Sequence, residues 1–118
     1  MLSLNINYEH CLDWEHCKGI DDALRKLAIL TNLLNDIIVV RQGAKKDILE
    51  ECSTWKGENL HKLSWDNKMI RLSELSETPE LMNLWQDADT AYSLVKNKQD
   101  QVLEDIMALK KMIDVTPR

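Results

Sequence analysis

A chain of 118 residues is long enough to bury one core and short enough to read as a single helical-bundle domain over residues 1–118. Phe is absent, only three Gly and two Pro occur, and 44% of residues are hydrophobic, which suits a helical bundle and not a sandwich or barrel. Acidic residues outnumber basic ones by 20 to 15 with the two signs interleaved, which disfavours a nucleic-acid partner, and no apolar run approaches the roughly 18 residues that a membrane span needs.

Leu2, Leu4, Ile6 and Tyr8 alternate with Ser3, Asn5 and Asn7, the period of a strand. No second strand candidate follows, so the stretch reads either as a frayed arm or as a strand paired with a copy of itself or with another protein. The expectation is a short extended arm over 1–19, with Leu2, Leu4, Ile6 and Tyr8 as its oligomer contacts. The stretch lacks the basic start and apolar core of a secretory signal. Within the arm, Glu9-His10-Cys11 and Glu15-His16-Cys17 repeat. Their His-Cys pairs do not match the two-to-four-residue ligand spacing of zinc modules, so no metal is expected there; a partly buried thiol pair beside solvent-facing imidazoles is. Cys52 makes the cysteine count odd, at three, and a reducing cytoplasm is the simplest setting.

Gly19 closes the arm, and Asp21 or Asp22 can cap a helix whose apolar face is Ile20, Leu24, Leu27, Leu30, Leu34, Ile37 and Ile38. Ile29, Val39 and Val40 lie off that face, which predicts a central helix buried on more than one side. Gly43 costs about 1 kcal/mol inside a helix, but Ile48, Cys52 and Trp55 carry the pattern onwards, so continuation to Gly57 is expected. Cys52 reads as a core residue, and Lys45 and Lys46 as a solvated face. A second helix is expected from about Glu58 to Ser76 on Leu60, Leu63, Trp65, Met69, Ile70, Leu72 and Leu75, with His61 at its surface.

Thr78 suits an N-cap and Pro79 a first helical position. From there Leu81, Trp85, Ala88, Tyr92, Val95, Gln99, Val102, Ile106, Leu109 and Ile113 recur at alternating steps of four and three, a heptad seam on one helix of about 35 residues and roughly 52 Å. The whole reads as an all-α, three-helix antiparallel bundle with a long C-terminal heptad helix. The seam outruns what residues 20–76 can cover, so Val102, Ile106, Leu109 and Ile113 are expected to meet a second chain or a bound client, and Gln99 either fixes register as a buried amide or marks where the bundle ends and the helix projects into solvent.

No catalytic group or cofactor signature is present. Trp85, Tyr92, Leu94, Val102, Ile106, Met107, Leu109 and Ile113 are the candidate residues for binding a client or partner, with Leu94 and Met107 on the outer side of the helix. Trp14, Trp55 and Trp65, with Met69, Met82 and Met112, suit core anchoring or adaptable contacts. Two family resemblances bear on this. From about Lys46 to Ile113, the Trp55-Lys-Gly-Glu58 break, the Leu60, Leu63 and Met69–Leu72 helix, and the stretch from Asp89 to Leu103 resemble the small bacterial flagellar export chaperones. That resemblance implies a cytoplasmic protein binding a helical client; a homodimeric coiled-coil adaptor is the alternative. Arg25 and Arg41, 16 residues apart, are similar to the paired basic groups of all-helical chorismate mutases, but the second helix lacks that family's Arg-Glu pair.

Overall fold

The computed structural model describes residues 4–54, 62–75 and 80–114. The fold is all-α: four helices in the order α1 (Glu9–Leu12), α2 (Ile20–Thr54), α3 (Trp65–Leu75) and α4 (Glu80–Asp114), with no strand among the described residues. The expected arm over 1–19 differs in one respect. Residues 4–8 are irregular, with Leu4, Ile6 and Tyr8 half-buried and Asn5 and Asn7 exposed, and then a single helical turn forms at α1. Period-two burial is present without a ladder, because one strand has no backbone partner in this chain.

α2 runs through Gly43, where a Cβ would meet nothing within 4 Å. Asp21 and Asp22 lie in its first turn, not before it, where carboxylates meet the positive end of the helix dipole. Asp22 takes Arg25 at 2.7 Å and Lys26 at 3.0 Å, and these hydrogen bonds hold its carboxyl below the ordinary value. α3 starts later than the apolar pattern suggests. Ser64 sets that start: its Oγ accepts the Asn67 N–H at 3.4 Å and its carbonyl the Lys68 N–H at 2.8 Å, an N-cap that the pattern of Leu60 and Leu63 does not reveal. Trp55, Gly57, Glu58, Leu60, His61, Thr78 and Pro79 lie outside the described residues.

Two compact units make up the chain, one from Met1–Asn5 and Ile38–Asp89, the other from Ile6–Ile37 and Thr90–Arg118. In the first unit, Ile48 and Cys52 of α2, Leu72 of α3 and Met82 of α4 form a core, with Leu63, Trp65, Met69, Leu81 and Trp85 packed against it. Residue numbers fall along α4 as they rise along α2, since Arg41 bonds Asp89 at 3.1 Å while Ile48 shares the core with Met82. Cys52 is the core residue its pattern suggested, at 1% exposure.

In the second unit the buried side chains are Cys11, Cys17, Ala23, Leu30, Leu34 and Ile37 before the midpoint and Ala91, Val95, Lys98, Val102 and Ile106 on α4. The Gln99 amide donates to Thr31 Oγ1 at 3.3 Å and accepts from Lys96 at 2.9 Å. Its place on the seam is therefore used inside one chain. Two readings of α2 are corrected. Leu24, taken as inward, is 50% exposed, and of the residues taken as buried on a second side Val39 is 69% exposed and Ile29 is also exposed, while Val40 is half-buried. One broad stripe of small and aliphatic residues suffices for the packing, so α2 keeps an outer face despite carrying apolar residues there.

Candidate functional site

The seam of α4 is occupied by the chain itself. Val102 and Ile106 are 2% and 7% exposed, Ala88 and Val95 are buried, and Trp85, Tyr92 and Leu109 are half-buried. The expectation that a second chain must cover this stripe fails at Val102 and Ile106, because sequence periodicity marks an apolar face without showing which segment fills it. Here the segment before Gly19 contributes: its Cys11 and Cys17 are buried in the same unit. The Ile113 side chain and Leu2 lie outside what is described.

Trp85 is anchored inside the first unit. Its ring meets Trp65 edge-on with centroids 5.1 Å apart, and Lys45 Nζ stands 5.2 Å from the centroid of Trp65, so Lys45 is more than a solvated charge. The Trp85 Nε1–H is buried and finds no acceptor among the described residues. Between α3 and α4 in this unit, Met69, Ile70 and Met82 line a groove with Ser73, Asn83 and Gln86 at its edge. Ile70 is 57% exposed there.

Of the residues read from the sequence as partner-binding, Leu94 and Met107 stay open, at 39% and 61% exposure. They do not share a face: thirteen positions at 100° per residue leave them about 140° apart around the helix. Met107 instead lies one turn beyond Leu103, itself 39% exposed, and those two form one apolar patch. Leu103 was missed in the sequence because it falls next to the seam residue Val102 and belongs to no period of its own.

The tandem His-Cys segment packs on α4 through polar groups. Lys98, 9% exposed, donates from Nζ to the Trp14 carbonyl. Asp105 accepts the Cys17 backbone N–H at 2.9 Å on one oxygen and lies 2.8 Å from His16 Nδ1 on the other. Burial alone would push the Asp105 carboxyl up, but the Cys17 amide and the His16 ring outweigh it and hold the carboxyl below its ordinary value. The imidazoles face outward: His16 is 76% exposed, and His10 Nε2 lies 3.2 Å from Cys11 Sγ at the edge. Lys26 Nζ sits 5.6 Å from the Trp14 ring centroid. Burial pushes the Cys11 and Cys17 thiols up, which opposes thiolate chemistry. Among the described residues, no three His, Cys, Asp or Glu side chains gather as a metal site. Lys98 and Asp105 had no sequence signal, since they read as ordinary charges in a charged helix.

Arg25 and Arg41 are each engaged in ion pairs, with Asp22 at 2.7 Å and Asp89 at 3.1 Å. No helix among the described residues is long and apolar enough to cross a membrane. Comparison with protein-family models, with characterised proteins and with solved structures gave no match.

Proposed function

We propose that this chain is a non-enzymatic, cytoplasmic protein-binding module, an antiparallel helical bundle whose outer apolar side chains take up a helical client. The observation that carries this reading is apolar exposure beyond a filled core. Leu103 and Met107 are one patch, and Ile70 stands open beside Met69 and Met82, while Ala88, Val95, Val102 and Ile106 of the α4 seam are already covered. Flexible thioethers suit contacts that adapt to a partner, and an amphipathic helix is the usual occupant of such a surface. The three free thiols fit a reducing compartment. An export chaperone is the most specific version of this reading, and it rests on the family resemblance of residues 46–113.

The homodimeric adaptor reading loses its main argument with the burial of Val102 and Ile106. Self-association, as part of this function, would use the exposed outer residues, of which Leu103 and Met107 form one patch. Replacing Leu103 and Met107 together by Lys tests the proposal. Capture of a partner from an extract of the source cells is expected to be lost, with stability within about 0.5 kcal/mol of the parent. Undiminished capture by the double variant would refute the assignment.

A further inference from the structure

Residues 8–17 have little order of their own. α1 has four residues, the Cys11 N–H donates to the Tyr8 carbonyl at 3.0 Å, and the Trp14 N–H donates to the Cys11 carbonyl at 3.3 Å. That is far below the length at which a helix stands alone. The segment's hydrogen bonds to the helices come from α4, through Lys98 on the Trp14 carbonyl and Asp105 on the Cys17 amide and the His16 ring, and Lys26 of α2 lies 5.6 Å from the centroid of the Trp14 ring. These two anchors bracket Val102, which lies one turn from each and is 2% exposed. On its far side the segment ends in a bend at residues 18 and 19, and a Cβ on Gly19 would meet nothing within 4 Å. The side of Gly19 that a Cβ would occupy is therefore open, while its carbonyl accepts the Ala23 N–H of α2 at 3.0 Å. The segment carries two thiols inward, Cys11 at 0% and Cys17 at 8% exposure.

We infer that residues 8–17 are a strap that opens from α4 as a unit without global unfolding, with Lys98 and Asp105 as its latch and residues 18 and 19 as its hinge. Opening unmasks Cys11, Cys17 and the Val102 step of α4. Local opening is the general behaviour of segments with few backbone bonds of their own, and here the hydrogen bonds that close the segment on α4 come from two side chains, beside Lys26 at the Trp14 ring and the burial of Cys11 and Cys17. Loss of one hydrogen bond to a charged group shifts such an opening roughly tenfold to a hundredfold.

The three cysteines supply the test. Cys52, buried in the core of the other unit, reports global unfolding, while Cys11 and Cys17 report the strap. The full chain is alkylated with iodoacetamide under native conditions, and labelling at each site is followed by mass spectrometry. Rates are divided by those of the urea-unfolded chain, because burial pushes all three thiols up. Cys11 and Cys17 are expected to react together and at least about tenfold faster than Cys52. Asp105→Ala and Lys98→Met, which each remove the bonding group, should raise the Cys11 and Cys17 rates roughly tenfold to a hundredfold and leave Cys52 unchanged. Labelling of Cys11 and Cys17 no faster than Cys52 in the parent overturns the strap, and a parent excess that neither substitution changes overturns the latch. If both variants fail to fold, the ratio in the parent chain decides alone.

Discussion

Ile106→Asp is expected to destabilise the fold instead of splitting an assembly into folded monomers. Ile106 is 7% exposed within a single chain, so a carboxylate placed there loses its water. Its i−1 neighbour Asp105 already carries negative charge bound to the strap. An unpaired charge in such a position costs about 3–5 kcal/mol, a large share of the roughly 5–15 kcal/mol that holds a typical domain together. The loss should appear as reduced helicity by circular dichroism at ambient temperature, or as a strongly lowered urea midpoint. A variant that remains fully helical and halves its mass would restore the second-chain reading of the heptad seam.

Ile48→Ala is the second substitution with a large expected effect. Ile48 is fully buried where α2, α3 and α4 meet, against Cys52, Leu72 and Met82. Removing its outer carbons forfeits their burial and leaves a cavity that a close-packed core closes only in part, for a cost of about 2–5 kcal/mol. Val39→Ala provides the contrast on the same helix, because Val39 is 69% exposed and should change stability by less than about 0.5 kcal/mol. Urea denaturation followed by tryptophan fluorescence measures both, since Trp65 and Trp85 pack against the Ile48 core. Similar effects of the two substitutions would contradict this placement of the core.

Long-range order was legible where it is written as periodicity. The four-three recurrence from Leu81 onwards marked α4 nearly to its observed bounds, and the helix continued through Gly43 because Ile48 and Cys52 kept the period beyond it. Periodicity did not give the identity of the segment that fills a face. The strap's Cys11 and Cys17 are buried in the same unit as Val102 and Ile106, but nothing in an irregular stretch of His, Cys and Trp announces a docking register. Capping was hidden for a similar reason. Ser64 starts α3 through one local hydrogen bond, whereas the hydrophobic spacing around it runs on smoothly to either side. The candidate surface was half legible. Met107 and Leu94 were recognisably outside the seam, yet only the folded α4 shows that Met107 belongs with Leu103 and not with Leu94.

That outer patch is the centre of the account, and methionine oxidation tests it most directly. Met107 and Met112 are 61% and 67% exposed, and five positions on a helix place them about 140° apart. Both should oxidise readily to the sulfoxide in the free protein. In the complex captured with its partner, the account predicts slowed oxidation at Met107 and an unchanged rate at Met112, read by mass spectrometry. Equal oxidation of Met107 in the free and bound protein would contradict it.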